Sequence, residues 1–322
     1  VFIFFVLSGY ILTYVIMRKN TVLQIRNMAI KRYPRLMIPV LVSSIIAYLF
    51  INFLESDASS LSSWASSYGS SKYSFTFALL SGAFYSFIYG DSSLNPVLWT
   101  MRIEFIGSFV IFIICYIKIT KKVKVLETIY LLLLIILFKL KIIDLKMTLG
   151  IMSFIVGYFY YFYGKNVKLR ISILILLLGL YCAGAHNQSL SYNYFYTIFH
   201  SKTYLILNFV SGITIIYSII FNSTFNKFFS KDFLVQMGKI SFSAYLIHLP
   251  VMRFIGVPFF IFYYKFLPYD YSAILASITS LILTYVLSLL FYNYIDKVSL
   301  KFTNVLINLI KRKKELSTRE FR

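Results

Sequence analysis

Acidic residues are scarce in this sequence. Only 11 of its 322 residues are Asp or Glu, against 32 Lys and Arg, so the formal net charge is +21. Charged residues of either sign make up 13% of the chain, hydrophobic residues make up 59%, and the mean hydropathy is +0.78. These proportions exclude a soluble globular domain and indicate a chain that lies in lipid. The excess of Lys and Arg is therefore expected in cytoplasmic loops. Its predicted partners are membrane lipid headgroups and not nucleic acid.

Cysteine is rare as well. Both cysteines, Cys115 and Cys182, lie inside apolar runs, so neither a disulfide framework nor a metal site is predicted. The uncharged runs are too long for the strands of a membrane barrel and lack their alternating pattern. Because each backbone polar group in lipid must be satisfied within its own element, the runs are predicted to be helices.

The lengths of the apolar runs predict an all-α, polytopic transmembrane helix bundle. With about 20 residues for each crossing, we predict nine spans, at residues 1–17, 36–54, 97–117, 125–142, 147–163, 169–185, 204–221, 240–262 and 272–294. The segment 74–90 is apolar but rich in Ser, Gly and aromatic residues, and either a tenth span or a re-entrant or interfacial segment is open for it.

Loop charges decide how this segment is interpreted. With nine spans, 24 Lys and Arg lie on the side of Arg18 and six on the other side. If residues 74–90 crossed the membrane, 18 of the 24 would face outward, against the positive-inside rule. We therefore predict no crossing there and place the loop that follows Arg18 in the cytoplasm, together with the basic tail at residues 297–322.

Glu104 is a candidate site residue because ionisable groups inside spans cost about 2.5 kcal/mol or more at the helix centre. One turn away on each side lie Thr100 and Ser108, and such small or hydroxylated neighbours mark a helix-packing face. Arg102 lies on a different side of the helix, so the partner of Glu104 must come from another element. A general base, a counter-ion and a structural salt bridge between helices all remain open for Glu104.

His248 is a second candidate, on a predicted helix face shared with Ser241 and Tyr245. Pro250 removes a helical donor and frees the carbonyl of Leu246, which predicts a kink beside the histidine. An acid or base and an interhelical hydrogen bonder are both open for His248.

Arg32 and Arg35 form a third candidate site. Pro34 suits the first turn of a helix, and it restricts the residue before it, so we predict that the second helix starts here. A helix N-terminus with two guanidinium groups is suited to hold a polyanion such as the phosphates of coenzyme A. Simple anchoring of the span by its positive charges is the alternative.

Four segments resemble the acyltransferase-3 family of membrane-bound O-acyltransferases. Residues 4–11 read FFVLSGYI, like its Phe-rich second helix, and residues 31–35 with 38–39 read KRYPR and IP, like its R-x-x-R motif. Residues 98–105 read LWTMRIEF, like its Trp-(Ser/Thr)-x-x-x-Glu helix, and residues 238–248 read GKISFSAYLIH, like its histidine signature. The resemblance places Arg32 and Arg35 on the arginines, Glu104 on the glutamate and His248 on the histidine.

The resemblance implies a ten-helix bundle that transfers acyl groups, usually acetyl, from cytoplasmic acyl-CoA to hydroxyl groups of cell-surface polysaccharides or glycolipids. Residues 1–296 would be the transmembrane acyltransferase domain without its first helix, because the chain begins inside an apolar run. That helix would carry the family's R-x10-H motif, so we expect the chain as given to be inactive. Some members of the family contain an extracytoplasmic esterase-like domain. For this chain the resemblance implies that a second transfer step would need a separate extracytoplasmic transferase as a partner.

Two other functions remain open from the sequence. A polytopic carrier or flippase for a lipid-linked sugar would need no acyl-CoA, so binding of that donor separates it from a transferase. A scaffold for another cell-envelope enzyme would leave Glu104 and His248 with a packing role only.

Overall fold

The computed structural model describes residues 1–54, 63–121, 138, 143–186 and 189–320. Within these residues the chain is helical and contains no strand, which confirms the prediction of an all-α membrane protein. In chain order the α-helices are α1 Phe2–Lys19, α2 Val22–Phe53, α3 Ser63–Ser67, α4 Phe75–Ile88, α5 Trp99–Lys121, α6 Leu145–Tyr163, α7 Leu169–Ala183, α8 Asn193–Phe199, α9 Thr203–Ile220, α10 Ser223–Phe229, α11 Asp232–Val251, α12 Val257–Tyr264, α13 Tyr269–Phe291 and α14 Lys297–Glu320.

Among the described residues, seven helical stretches are long and apolar enough to cross a membrane. They are Phe2–Lys19, Val22–Phe53, Trp99–Lys121, Leu145–Tyr163, Leu190–Ile220, Asp232–Tyr264 and Tyr269–Ile310. Each overlaps one of the predicted spans over most of its length. The predicted span at 169–185 corresponds to the shorter α7, and the one at 125–142 lies almost entirely outside the described residues. The polytopic bundle is therefore confirmed.

The uncertain segment 74–90 forms the short apolar helix α4, which contains a π-helical turn at Ser81–Tyr85. Ser74 caps its N-terminus by accepting a hydrogen bond from the Phe77 amide. At 1.5 Å per residue, 14 residues extend about 21 Å, less than the roughly 30 Å of a bilayer's hydrocarbon core. The non-crossing assignment of this segment stays a prediction.

The chain divides into two compact units, the first formed by Val1–Ala29 and Ile103–Val235. In this unit α1 packs along α6 and α9, and α9 packs along α7. The crossings are close because they use glycine: a Cβ on Gly9 would collide with the backbone carbonyl of Phe154, and one on Gly157 would lie 2.6 Å from the amide nitrogen of Tyr10. Small residues at crossings let helix backbones approach in lipid, where dispersion contacts drive association.

This close approach predicts that Gly157→Ala destabilises the protein. The added methyl group would overlap backbone atoms of α1. The overpacking should lower the free energy of unfolding by about 1–3 kcal/mol and lower the midpoint of thermal unfolding in detergent. Gly238→Ala is the matched control, because a Cβ there would meet nothing within 4 Å. Since alanine favours a helix over glycine by about 1 kcal/mol, Gly238→Ala should be neutral or stabilising. Equal midpoints for the two variants would contradict the packing described for α1 and α6.

The second unit is formed by Ile30–Arg102 and Gln236–Arg322. Two π-helical turns, Met252–Gly256 and Tyr292–Asp296, continue α11 into α12 and α13 into α14. Together with the turn in α4, all three π-helical turns of the described residues lie in this unit. Such turns are rare and frequently occur at functional sites.

Helix α14 covers most of the predicted tail, residues 297–322. Its buried residues Ser299, Thr303 and Ile307 are spaced four apart and form one face, while Lys301 is exposed. The start of the predicted tail is therefore a packed amphipathic helix of the second unit.

Candidate functional site

The predicted helix start at Pro34 is wrong. Helix α2 begins at Val22 and contains both Pro34 and Pro39, so Arg32 and Arg35 lie about 15 to 20 Å from its N-terminus at 1.5 Å per residue. The dipole effect of a helix end is confined to its first turn. A helix N-terminus therefore contributes nothing to the anion site predicted at these arginines.

The helix also runs on through Pro39, where the lost hydrogen bond is replaced. A proline has no amide hydrogen, so Pro39 leaves the carbonyl of Arg35, four residues earlier, without its helical donor. Ser299 Oγ donates a hydrogen bond to this carbonyl over 3.0 Å. In lipid such replacement by a neighbouring helix is what allows proline inside a span.

Arg35 instead lies with Lys31 on the face of α2 that contacts α14 in the second unit, and Arg32 lies about one turn before Arg35 on the same helix. Besides the contact of Ser299, Lys31 Nζ donates to Asn304 Oδ1 over 2.6 Å, so the two helices run side by side here. Arg35 is exposed and Arg32 is half-buried. Asp296 is buried close enough to interact electrostatically with Arg35, which offsets part of the positive charge.

Glu104 lies in the first unit, where Ser8 Oγ donates a hydrogen bond of 2.8 Å to its Oε1. This contact joins the FFVLSGYI and LWTMRIEF segments, which are 96 residues apart in the chain. The carboxylate is partly buried, and a charge-assisted hydrogen bond of this kind is roughly twice as strong as a neutral one. The expected packing face beside Glu104 is present, because a Cβ on Gly107 would meet the ring of Phe154.

His248 lies in the second unit, partly exposed, on α11. Its Nδ1 is 2.9 Å from the carbonyl oxygen of Tyr245 and 3.2 Å from that of Ala244. A carbonyl oxygen only accepts, so in the neutral ring Nδ1 carries the hydrogen and Nε2 carries the lone pair. The geometry thus leaves Nε2 as the nitrogen that can take a proton.

The carbonyl of Leu246, freed by Pro250 as predicted, has two new donors. Ser43 Oγ donates to it over 2.9 Å and Asn95 Nδ2 over 2.7 Å. All three residues are buried, with Asn95 and Leu246 at 0% exposure. The sequence indicated that a donor was needed but not which residues supply it.

Tyr245, one turn before His248, is held by the start of α5. Its hydroxyl donates to the carbonyl of Val97 over 3.1 Å and lies 3.0 Å from Thr100 Oγ1. Its ring centroid is 5.8 Å from that of His248. Segments 98–105 and 238–248, two of the four that carry the family resemblance, therefore meet in the second unit.

The structure thus sorts the four predicted site residues into two groups. Glu104 lies in the first unit with Ser8, whereas Arg32, Arg35 and His248 lie in the second unit. Within the described part of the chain, no three His, Cys, Asp or Glu side chains form a cluster that could hold a metal ion.

Comparison with known families adds to this geometry. Residues 1–293 match the sequence model of the acyltransferase domain Acyl_transf_3. The chain belongs to the acyltransferase-3 family. Neither the curated proteins nor the solved structures gave a match. Membership confirms the predicted recognition, and together with the apolar helices it identifies a multi-pass membrane acyltransferase.

Proposed function

We propose that this acyltransferase-3 protein moves an acyl group, in the first instance acetyl, from cytoplasmic acyl-CoA to hydroxyl groups of a cell-surface polysaccharide or glycolipid. The observation that carries the proposal is the family match over residues 1–293. The hydrogen-bonded carboxylate of Glu104, the oriented imidazole of His248 and the basic residues of α2 supply groups suited to this reaction.

The reaction requires proton transfer and a stable leaving group. An acceptor hydroxyl oxygen attacks the thioester carbonyl carbon, the new C–O bond forms, the C–S bond breaks and coenzyme A leaves as the thiol. The hydroxyl proton passes to a base and is returned to the thiolate sulfur. We assign Glu104 to orient or assist the base, and His248 Nε2 to accept or donate a proton.

Arg32 and Arg35 are assigned to the donor phosphates. Guanidinium groups bind phosphate oxygens in pairs, which a lysine ammonium cannot reproduce.

This assignment predicts weaker donor binding in Arg32→Ala and Arg35→Ala. Each change should raise the KM for acyl-CoA about tenfold or more, because a hydrogen-bonded charge pair is lost, with a smaller effect on kcat. Arg32→Lys and Arg35→Lys should also be impaired. Arg26→Ala is the matched control, since Arg26 is an exposed arginine of the same helix. An unchanged KM in both alanine variants would contradict the role, and a wild-type protein that binds no acyl-CoA would favour the carrier.

Donor access from the cytoplasm requires that the basic loops, including the chain's C-terminal end, face inward. In a variant whose buried Cys115 and Cys182 are replaced by alanine, single cysteines at the exposed positions Ser66 and Lys231 test this orientation. A thiol reagent that cannot cross membranes should label position 66 in intact cells and position 231 only after permeabilisation. The reverse pattern would contradict the proposed orientation.

A further inference from the structure

Asn95 occupies an unusual position for an amide side chain. It is 0% exposed, and its Nδ2 donates to two acceptors, the carbonyl oxygen of Leu246 at 2.7 Å and Ser43 Oγ at 2.9 Å. Its Oδ1 accepts from the amide of Val97 at 3.3 Å. A buried amide is costly unless its donors and acceptor are used, and here both ends are used.

The role of the Asn95 amide follows from its acceptor, the carbonyl oxygen of Leu246. In an ordinary helix its carbonyl would accept from the amide of residue 250, which is a proline. Ser43 also donates to this carbonyl, over 2.9 Å, but the shorter of the two bonds that replace the helical one comes from Asn95. The turn that it completes, from Leu246 to Pro250, contains His248.

The same short segment also holds the preceding residue of α11. Through Val97 and Thr100 it binds the hydroxyl of Tyr245, whose carbonyl in turn accepts from His248 Nδ1. Residues 95–100 therefore fix α11 at Leu246, the first residue of the turn that Pro250 opens, and at Tyr245, the residue before it.

We propose that Asn95 is a positioning residue for His248. Its amide replaces the hydrogen bond that Pro250 removes, and so fixes the turn that presents Nε2 while Nδ1 is held by the Tyr245 carbonyl. The inference rests on the proposed function where it gives His248 a role in proton transfer. The replacement of the helical hydrogen bond lost at Pro250 by the bond from Asn95 to Leu246 does not depend on that function.

A double-mutant cycle between Asn95 and Pro250 tests the proposal. Asn95→Leu keeps the branched shape of the side chain and removes the donor, so kcat per folded protein should fall about tenfold or more, with the KM for acyl-CoA unchanged. In a Pro250→Ala background the restored amide of residue 250 can donate to Leu246, and the same Asn95→Leu change should then cost less than about threefold. Because the cycle compares ratios, any loss caused by Pro250→Ala itself cancels.

Two variants sharpen the comparison. Asn95→Asp has the same shape but a carboxylate that cannot donate, so it should be at least as impaired as Asn95→Leu. Asn52→Leu is the matched control, because Asn52 Nδ2 donates to the carbonyl of Tyr48 within its own helix. Its effect should be the same with proline or alanine at position 250.

Nitrogen NMR of histidine-labelled protein gives a readout independent of catalysis, with the His248 signal assigned through His248→Asn. The wild-type protein and the double variant should show the Nδ1-protonated form, and Asn95→Leu alone should show a mixture. Equal losses of kcat in both backgrounds, or an unchanged His248 signal in Asn95→Leu, would overturn the proposal. If the wild-type protein transfers no acyl group, the proposed function fails and the NMR cycle alone decides the role of Asn95.

Discussion

Glu104→Gln should lower kcat for acyl transfer by about a hundredfold or more, the usual range for loss of a positioned acid or base, while the protein stays folded. Glutamine has the shape of glutamate and its Oε1 can still accept the hydrogen bond from Ser8, now 2.8 Å long. It cannot take a proton or carry the charge that would stabilise a protonated neighbour. The measurement is kcat per folded protein, together with the midpoint of thermal unfolding.

Ser8→Ala is the companion variant, because it leaves the charge of Glu104 and removes one of its hydrogen bonds. Its effect should be smaller, about tenfold, as expected for one charge-assisted hydrogen bond. A structural salt bridge, the alternative left open by the sequence, predicts the opposite pattern for Glu104→Gln. In that case the unfolding midpoint would fall by several degrees and kcat per folded protein would stay near the wild-type value.

The second large effect is expected at His248, where two substitutions separate its two ring nitrogens. An asparagine places an amide hydrogen near the position of Nδ1, so His248→Asn can still donate to the carbonyl of Tyr245, which is 2.9 Å from Nδ1. It has nothing at the position of Nε2. If Nε2 transfers the proton, His248→Asn should lose about 10² to 10⁴ in kcat.

His248→Gln reaches toward the position of Nε2 but provides no group that titrates near neutral pH, so it should be equally impaired. A His248→Asn variant with nearly wild-type kcat would contradict the proton-transfer role and leave His248 as a hydrogen bonder between residues of α11. The unfolding midpoint of both variants serves as the control for correct folding.

The class of the fold could be predicted from the sequence because length and hydropathy decide it. Apolar runs of about 20 residues can satisfy their backbone in lipid only as helices, and seven of these runs are long helices in the structure. The packing face beside Glu104 could also be predicted, since Gly107 and Ser108 follow Glu104 at helical spacing.

The passage of α2 through Pro39 could not be predicted because local rules treat a proline as the loss of a bond. The structure replaces that bond with Ser299, which is 264 positions away from Arg35 in the chain. The same reason explains why Asn95 was missed, since its acceptor Leu246 is 151 positions away. A proline inside an apolar run therefore indicates that a donor is needed, and only the tertiary structure identifies it.

Acyl transfer from acyl-CoA to a surface glycan can be measured directly in inside-out membrane vesicles. Vesicles from cells with and without the gene are supplied with acetyl-CoA labelled in its acetyl group. We expect label to appear in the glycan as an ester removed by mild base, coenzyme A thiol to be released in equal amount, and both to depend on the gene and on Glu104. Vesicles that carry the protein but bind no acyl-CoA, and that incorporate no more base-labile label than vesicles without the gene, would show that the proposed function is wrong.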